Sequence, residues 1–337
     1  MFSRRGRTEG QSYFLGNGMC FFHRFADCGF RNKWCGFWSG GRKTLEYFAV
    51  RVNGEWLSPQ NQKSFEYDFA KAVHTYETAG GKVTETVFVP EESGSVTVIV
   101  EAFPGAKIDV KAAVNIRKGD ENVTARRYVV SRVTGSVKAE NDIGAAVITA
   151  GEGGKFEALG TYEEHCPSGE VQNYFLPCRL SFRRSRAAFS IGAERVDVQS
   201  ADVLLKMKES HYAGLLREKI SCDNGMVSKA FESCVFALEL LKKDGGYYAG
   251  LPWFQQFWGR DTLWSLPAVI SLGKHDEARI ILRFFAEKSE KGQVPNFSTE
   301  SGEKAMNAID ATPLWVIALE RYVRCSGDMV FLREMER

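Results

Sequence analysis

Val83-Thr84-Glu85-Thr86-Val87-Phe88-Val89, closed by Pro90 and followed by Val96-Thr97-Val98-Ile99-Val100, decides how the first part of the chain folds. Both runs are β-branched, alternate every second residue and are separated by turn formers, which is the texture of half-buried strands. Phe48-Ala49-Val50-Arg51-Val52 before Asn53-Gly54 has the same texture. Asn-Gly tolerates the positive φ angles of a tight primed turn, so a hairpin is expected there. Further strands are expected at 107–116, 127–133, 144–149, 156–163 and 188–191. Many antiparallel strands of this length imply a large β-sandwich.

Near residue 200 the period changes from two to about 3.6 residues, and helices follow. Expected helices are Ser210 to Ile220, Asn224 to Lys243, 262–272 capped by Asp261, 275–290, 313–325 capped by Thr312, and one more opened by Asp328. Pro313 suits the first turn of its helix, whereas Pro267 falls where it can kink one. Segment 262–272 carries no charge and 275–290 is amphipathic, as buried and surface helices are. The expected fold is multi-domain: an antiparallel β-sandwich over 1–203, then a helical domain over 204–337.

A length of 337 residues suits two domains, since single cores stop growing at about 250 to 300 residues. The 44 Lys plus Arg against 42 Asp plus Glu give no electrostatic footprint for nucleic acid or a membrane surface. The basic start Met1 to Arg7 lacks a following apolar run, so a cytoplasmic protein is expected. The 8 cysteines form no C-x-x-C pair and read as reduced thiols. Cys20, His23, Cys28 and Cys35 have zinc-ligand chemistry but fit no finger spacing, so simple burial is preferred and no metal or other cofactor is expected.

Two carboxylates mark the chemistry. Asp261 and Asp310 sit at the starts of the helices expected over 262–272 and 313–325, the first uncharged and the second apolar at its beginning; an outer helix returning between them would make those helices parallel and bring both acids to one end. Around Asp261, the segment Gly250-Leu251-Pro252-Trp253-Phe254-Gln255-Gln256-Phe257-Trp258-Gly259-Arg260-Asp261 combines aromatic rings with a guanidinium and a carboxylate. Rings stack on pyranose faces, and Arg and Asp hydrogen-bond sugar hydroxyls. The plainer reading makes Asp261 a cap, Arg260 its ion-pair partner and the tryptophans core. Asp310, two positions before Thr312, is free for work other than capping, its plainer role being that of a turn former. A helix N-terminus favours an ionised carboxylate, so a proton-donating acid there needs burial among Trp258, Trp264 and Trp315.

At Trp258-Gly259-Arg260-Asp261-Thr262 the chain resembles the amylo-alpha-1,6-glucosidase part of glycogen debranching enzymes. Leu251-Pro252-Trp253-Phe254, Ala278 to Ala286, Gln293-Val294-Pro295-Asn296 and Asn307-Ala308-Ile309-Asp310-Ala311 follow the family's order, and Phe14-Leu15-Gly16-Asn17-Gly18 resembles the opening of its bacterial and archaeal members. The resemblance implies a β-sandwich and an (α/α)6 toroid hydrolysing alpha-1,6-linked glucose from branched alpha-glucan with inversion, without a cofactor. It makes Asp310 the general acid and Arg260 and Asp261 the residues that bind the nonreducing glucose, with Asp261 as the alternative acid and Glu300 and Glu303 as spares. Arg260, Trp258, Trp253, Phe254, Asn307 and Trp315 become substrate-binding residues.

A twelve-helix toroid needs about 190 residues, so an incomplete toroid lacking the general base is expected, with weak activity and exposed apolar helix faces. Self-association or a C-terminal half supplied elsewhere would cover them. A glucoamylase-like or trehalase-like glucosidase, a noncatalytic glucan-binding protein and a fragment without a ligand are the competing readings.

Overall fold

The structure, a computed structural model, describes residues 2–5, 10–119, 127–165, 171–216, 223–243, 245–299 and 302–336. The chain divides into two compact units, Met1–Arg217 and Glu218–Arg337.

The first unit holds β1 (Phe2–Arg5), β2 (Ser12–Gly16), β3 (Cys20–Phe25), β4 (Gly36–Ser39), β5 (Arg42–Val52), β6 (Glu55–Trp56), β7 (Gln62–Tyr67), β8 (Ala72–Thr78) and β9 (Gly81–Phe88). It continues with β10 (Ser95–Glu101), β11 (Ile108–Lys118), β12 (Val129–Val133), β13 (Ser136–Glu140), β14 (Ala145–Ala150), β15 (Lys155–His165), β16 (Gln172–Phe182) and β17 (Arg186–Gly192). One sheet runs β1-β7-β8-β9-β10-β17-β14-β13-β12; the other runs β15-β16-β11-β5-β4-β3-β2, with β6 on β5. The hairpin expected at Asn53-Gly54 is the β5–β6 turn, both residues having positive φ. Phe48 of β5 meets Phe189 of β17 edge-on at 5.9 Å, and the Tyr13 hydroxyl of β2 lies 3.1 Å from His74 Nε2 of β8. The two sheets therefore share one core, with period two turning Val96, Val98 and Val100 into it.

Ile99 breaks the polar half of that alternation because the sheet's other face is covered as well. Phe88, Ile99 and Ala188 pack there against Val198 and Ala201, where α1 (Ala201–Leu215) begins. Buried Lys208 of α1 donates from Nζ to Gly16 O at 2.6 Å and pairs with Glu91 at 2.5 Å. The expected division at 203/204 thus falls inside a helix that belongs to the sheets. The connecting helix expected over Ser210 to Ile220 begins earlier, at Ala201, because Ala201, Lys208 and Tyr212 already lie on its buried side.

Cys20, His23, Cys28 and Cys35 are all buried; Cys20 Sγ donates to Ser93 O, and among the described residues no group of three potential ligands could hold a metal. No helix among them is long and apolar enough to cross a membrane.

The second unit contains α2 (Gly225–Leu241), α3 (Gly259–Ser271), α4 (His275–Glu287), α5 (Ala311–Ser326) and α6 (Met329–Met335). Asn224 and Asp328 cap α2 and α6 through their side chains, as their positions imply. Gly327 closes α5 in the left-handed conformation that a Cβ disfavours. Two caps differ from expectation. Asp261 lies within the first turn of α3, and Thr312 lies within α5, because Gly259 and Ala311 can already enter tight packing.

Helix α3 runs through Pro267 and buries Thr262, Leu263, Leu266, Val269 and Ile270. It is not enclosed all round: Trp264 remains 66% exposed, as do Val316 at 54% and Ile317 at 57% on α5. The uncharged stretch 262–271 of α3 is therefore not buried on every side, Trp264 facing solvent. Helix α4 buries Ala278, Ile281, Leu282 and Phe285 and is amphipathic as expected.

Candidate functional site

Glycine 259 explains how the site is assembled. A Cβ there would lie 2.6 Å from Pro295 O and 3.1 Å from Ala311 Cβ, so only glycine lets the start of α3 approach both the start of α5 and the strand before it. At the other end, Arg321 Nη2 of α5 donates to Ser271 Oγ of α3 at 3.2 Å. Contacts at matching ends make α3 and α5 parallel. Helix α4 returns between them in the opposite sense, His275 meeting Tyr322 and Leu282 O accepting from Trp315 Nε1 at 2.9 Å. Both helix starts consequently lie at one end of the unit.

Short strands hold the intervening loops. β20 (Phe257–Trp258) pairs with β21 (Phe297–Ser298), which pairs with β22 (Lys304–Ala305); β18 (Lys242–Lys243) and β19 (Gly246–Tyr247) form a hairpin before them. Gly259 N donates to Asn296 O at 2.7 Å, and Asn296 Nδ2 donates to Asn307 Oδ1 at 3.0 Å. Val294 N donates to Thr312 Oγ1 at 2.9 Å. The hydroxyl expected to cap α5 therefore anchors a neighbouring segment. On the far side, Thr262 Oγ1 donates to Tyr247 O at 3.1 Å, and the Tyr247 phenol, its pKa pushed up by burial and by the Glu277 carboxylate, donates to Glu277.

This frame brings Arg260 and Asp310 together: Arg260 Nε donates to Asp310 Oδ2. Asp310 is the N-cap residue of α5 by backbone but makes no side-chain cap bond, so its carboxylate is free of the helix. Its Oδ1 is buried and has no hydrogen-bond partner among the described residues, while the side chains as a whole remain 32% exposed for Asp310 and 63% for Arg260. A buried acceptor without a partner costs free energy unless a ligand or water satisfies it. Asp261 is exposed beside this pair in the chain, and its carboxylate has no partner among the described residues. Arg260 thus pairs with Asp310, not with Asp261 as the plainer sequence reading had it.

The aromatic residues divide into two groups. Trp253 and Phe254 sit in a turn closed by reciprocal backbone hydrogen bonds of Gly250 and Phe254, and are 53% and 48% exposed. Their rings continue edge-on to Trp258, 6.3 Å from Phe254, and Trp258 packs at 5.6 Å against Phe297. Trp264 and Trp315 do otherwise. Trp264 is open to solvent and Trp315 is tied to α4, so the aromatic enclosure expected around Asp310 from Trp258, Trp264 and Trp315 is not formed. Glu303 is exposed in the tight turn between β21 and β22, its backbone bonded to Thr299. Glu300 lies outside the described residues. Gly259 and Phe297 were not singled out from sequence as site residues, and Thr312 was singled out only as a cap. Only Gly259 carried a signal, a glycine wedged directly between Trp258 and Arg260 at a helix start.

A guanidinium, two carboxylates and half-exposed rings at one helix mouth can hold a polyhydroxyl ligand, the rings by stacking and the charges by hydrogen bonds to hydroxyl groups. Residues 230–336 match the family model described as amylo-alpha-1,6-glucosidase. By structure the chain is similar to a bacterial glucoamylase complexed with acarbose, with a TM-score of 0.59 and 14% identity over 93% of this chain and 54% of that one. It is also similar, at a TM-score of 0.41 and 12% identity, to a GH92-family glycosyl hydrolase, over 95% of this chain and 55% of that one. The chain thus spans about half the length of these structures. Among curated proteins no sequence matches it.

Proposed function

We propose, on the premise that residues 230–336 match the amylo-alpha-1,6-glucosidase family, that the chain acts in a glycoside hydrolase that releases alpha-1,6-linked glucose from branched alpha-glucan. The observation that carries this reading is the Arg260–Asp310 pair at the common mouth of α3 and α5, with an unpartnered Asp310 oxygen. Glycoside hydrolysis needs one carboxylic acid to protonate the leaving oxygen and, in the inverting case, a second carboxylate to activate water on the opposite face of the sugar. Asp310 takes the acid role. Arg260 and Asp261 hold the nonreducing glucose through its hydroxyls, with Asn307 beside them and Trp258, Trp253 and Phe254 offering ring faces to the glucan. Binding of glucose hydroxyls to the guanidinium would draw Arg260 from Asp310 and leave the carboxyl able to carry a proton. Trp315 is withdrawn to a supporting place, because its indole N–H is committed to Leu282 O.

The test separates binding from chemistry. Acarbose, a glucose-configured oligosaccharide analogue, should raise the melting temperature of the full chain, and Arg260→Ala should remove that rise. Where glucose release from limit dextrin is measurable, Asp310→Asn should lower it by at least about a hundredfold, the usual contribution of a general acid. Equal acarbose stabilisation of the wild type and of Arg260→Ala would refute the site. Faster release from maltose or trehalose than from limit dextrin would move the reading to a glucoamylase-like or trehalase-like enzyme.

A further inference from the structure

A second polar constellation lies wholly within the first unit, on the eight-stranded sheet. Val50 and Val52 of β5 turn into the core, so period two sends Arg51 to the opposite face. There the strand register sets Trp56 of β6, Arg51 of β5, Asp109 of β11 and Ser181 of β16 in one row across four strands. The ring of Trp56 lies against two cations, 5.2 Å from the Arg51 guanidinium and 4.9 Å from Lys111 Nζ, yet the residue is 41% exposed.

The hydrogen bonding beneath that ring is incomplete. Asp109 is only 5% exposed; its Oδ2 accepts from Arg51 Nη2 at 3.1 Å and forms an ion pair with Lys107 Nζ at 3.3 Å. Its Oδ1 has no hydrogen-bond partner among the described residues, and neither does the buried Arg51 Nε. A donor and an acceptor are thus left unsatisfied in the same row as an exposed indole. Buried polar groups ordinarily find partners, so a pair of exceptions at one spot points to something that completes them.

We propose that this row is a second, noncatalytic carbohydrate-binding site, taking a neutral polyhydroxyl ligand of the alpha-glucan class. The cations and Asp109 are mixed in sign, which suits a neutral ligand better than a polyanion. A sugar ring stacks on the open surface of Trp56 while its hydroxyls donate to Asp109 and accept from Arg51. The choice of alpha-glucan over other polyols rests on the glucosidase reading; the site itself rests on the sheet.

Affinity electrophoresis of the full chain through gels containing glycogen tests it. The wild type should be retarded, and Arg260→Ala, which takes the mouth of α3 and α5 out of the comparison, should keep a measurable part of that retardation. Trp56→Ala should bind about tenfold more weakly, the scale of one lost aromatic contact, while Trp56→Phe keeps a ring and most of the retardation. The last variant separates loss of stacking from loss of folding. Equal retardation of the wild type and Trp56→Ala overturns the proposal, as does a wild type that glycogen does not retard. A failure of the glucosidase reading shows instead in the comparison of wild type and Arg260→Ala by acarbose stabilisation.

Discussion

Residue 259 is where the chain tolerates least. Alanine there would drive a methyl group against Pro295 O and Ala311, neither of which is the end of a flexible side chain. Gly259→Ala is expected to destabilise the helical unit by about 1–3 kcal/mol, the cost of overpacking a close contact. Acarbose stabilisation should fall with it, since Arg260 and Asp310 would separate; urea unfolding and the thermal shift measure the two effects. His23 makes a pH-dependent contribution. It is buried and stacked on Phe14 at 4.3 Å, and burial lowers its pKa to about 4 from 6.5. Because the unfolded chain takes up the proton first, His23 stabilises the fold above pH 6.5. That contribution, on the order of 3 kcal/mol, is lost as pH falls towards 4. His74, whose pKa burial also lowers well below 6.5, adds to the loss. His23→Phe should flatten the urea midpoint between pH 6.5 and 4; an unchanged slope would rule out His23 as its source.

Among elements, the parallel pairing of α3 and α5 does the positioning, and the segment 293–298 is what locks it. Thr312 Oγ1 satisfies the N–H of Val294, a residue only 4% exposed. Thr312→Val keeps the shape and orphans that donor, so a loss of about 1–3 kcal/mol is expected in urea unfolding. Helix content should stay the same in circular dichroism, because α5 begins at Ala311 and not at Thr312. The period-two runs at 83–89 and 96–100 and the Asn53-Gly54 turn were readable because strand faces and turn dihedrals are local properties. The first turns of α3 and α5 were misjudged because a cap is chosen by what packs outside the helix. Thr312 is a good cap residue that tertiary packing employs elsewhere.

In the whole molecule, the division of the chain reflects burial more than periodicity. Residues 201–215 are helical, yet Lys208 and Tyr212 are buried in the unit of the sheets and Lys71 pairs with Glu209. A chain ending at residue 217 should therefore melt several degrees higher than one ending at 203, which loses Leu204 and Leu205 from beside Phe88 and Ile99 and strands Glu91. Similar melting temperatures in calorimetry would place α1 outside that unit.

Alternation, helix periodicity and the Trp258-Gly259-Arg260-Asp261-Thr262 stretch were enough to separate strands from helices and to name Arg260, Asp261 and Asp310, since each depends on residues close in sequence. Which acid the guanidinium holds, which tryptophans stay near it and which buried atoms lack partners depend on side chains tens of residues apart. Only packing sets those distances: it pulled Trp315 to α4, left Trp264 in solvent and put Asp310, rather than Asp261, against Arg260.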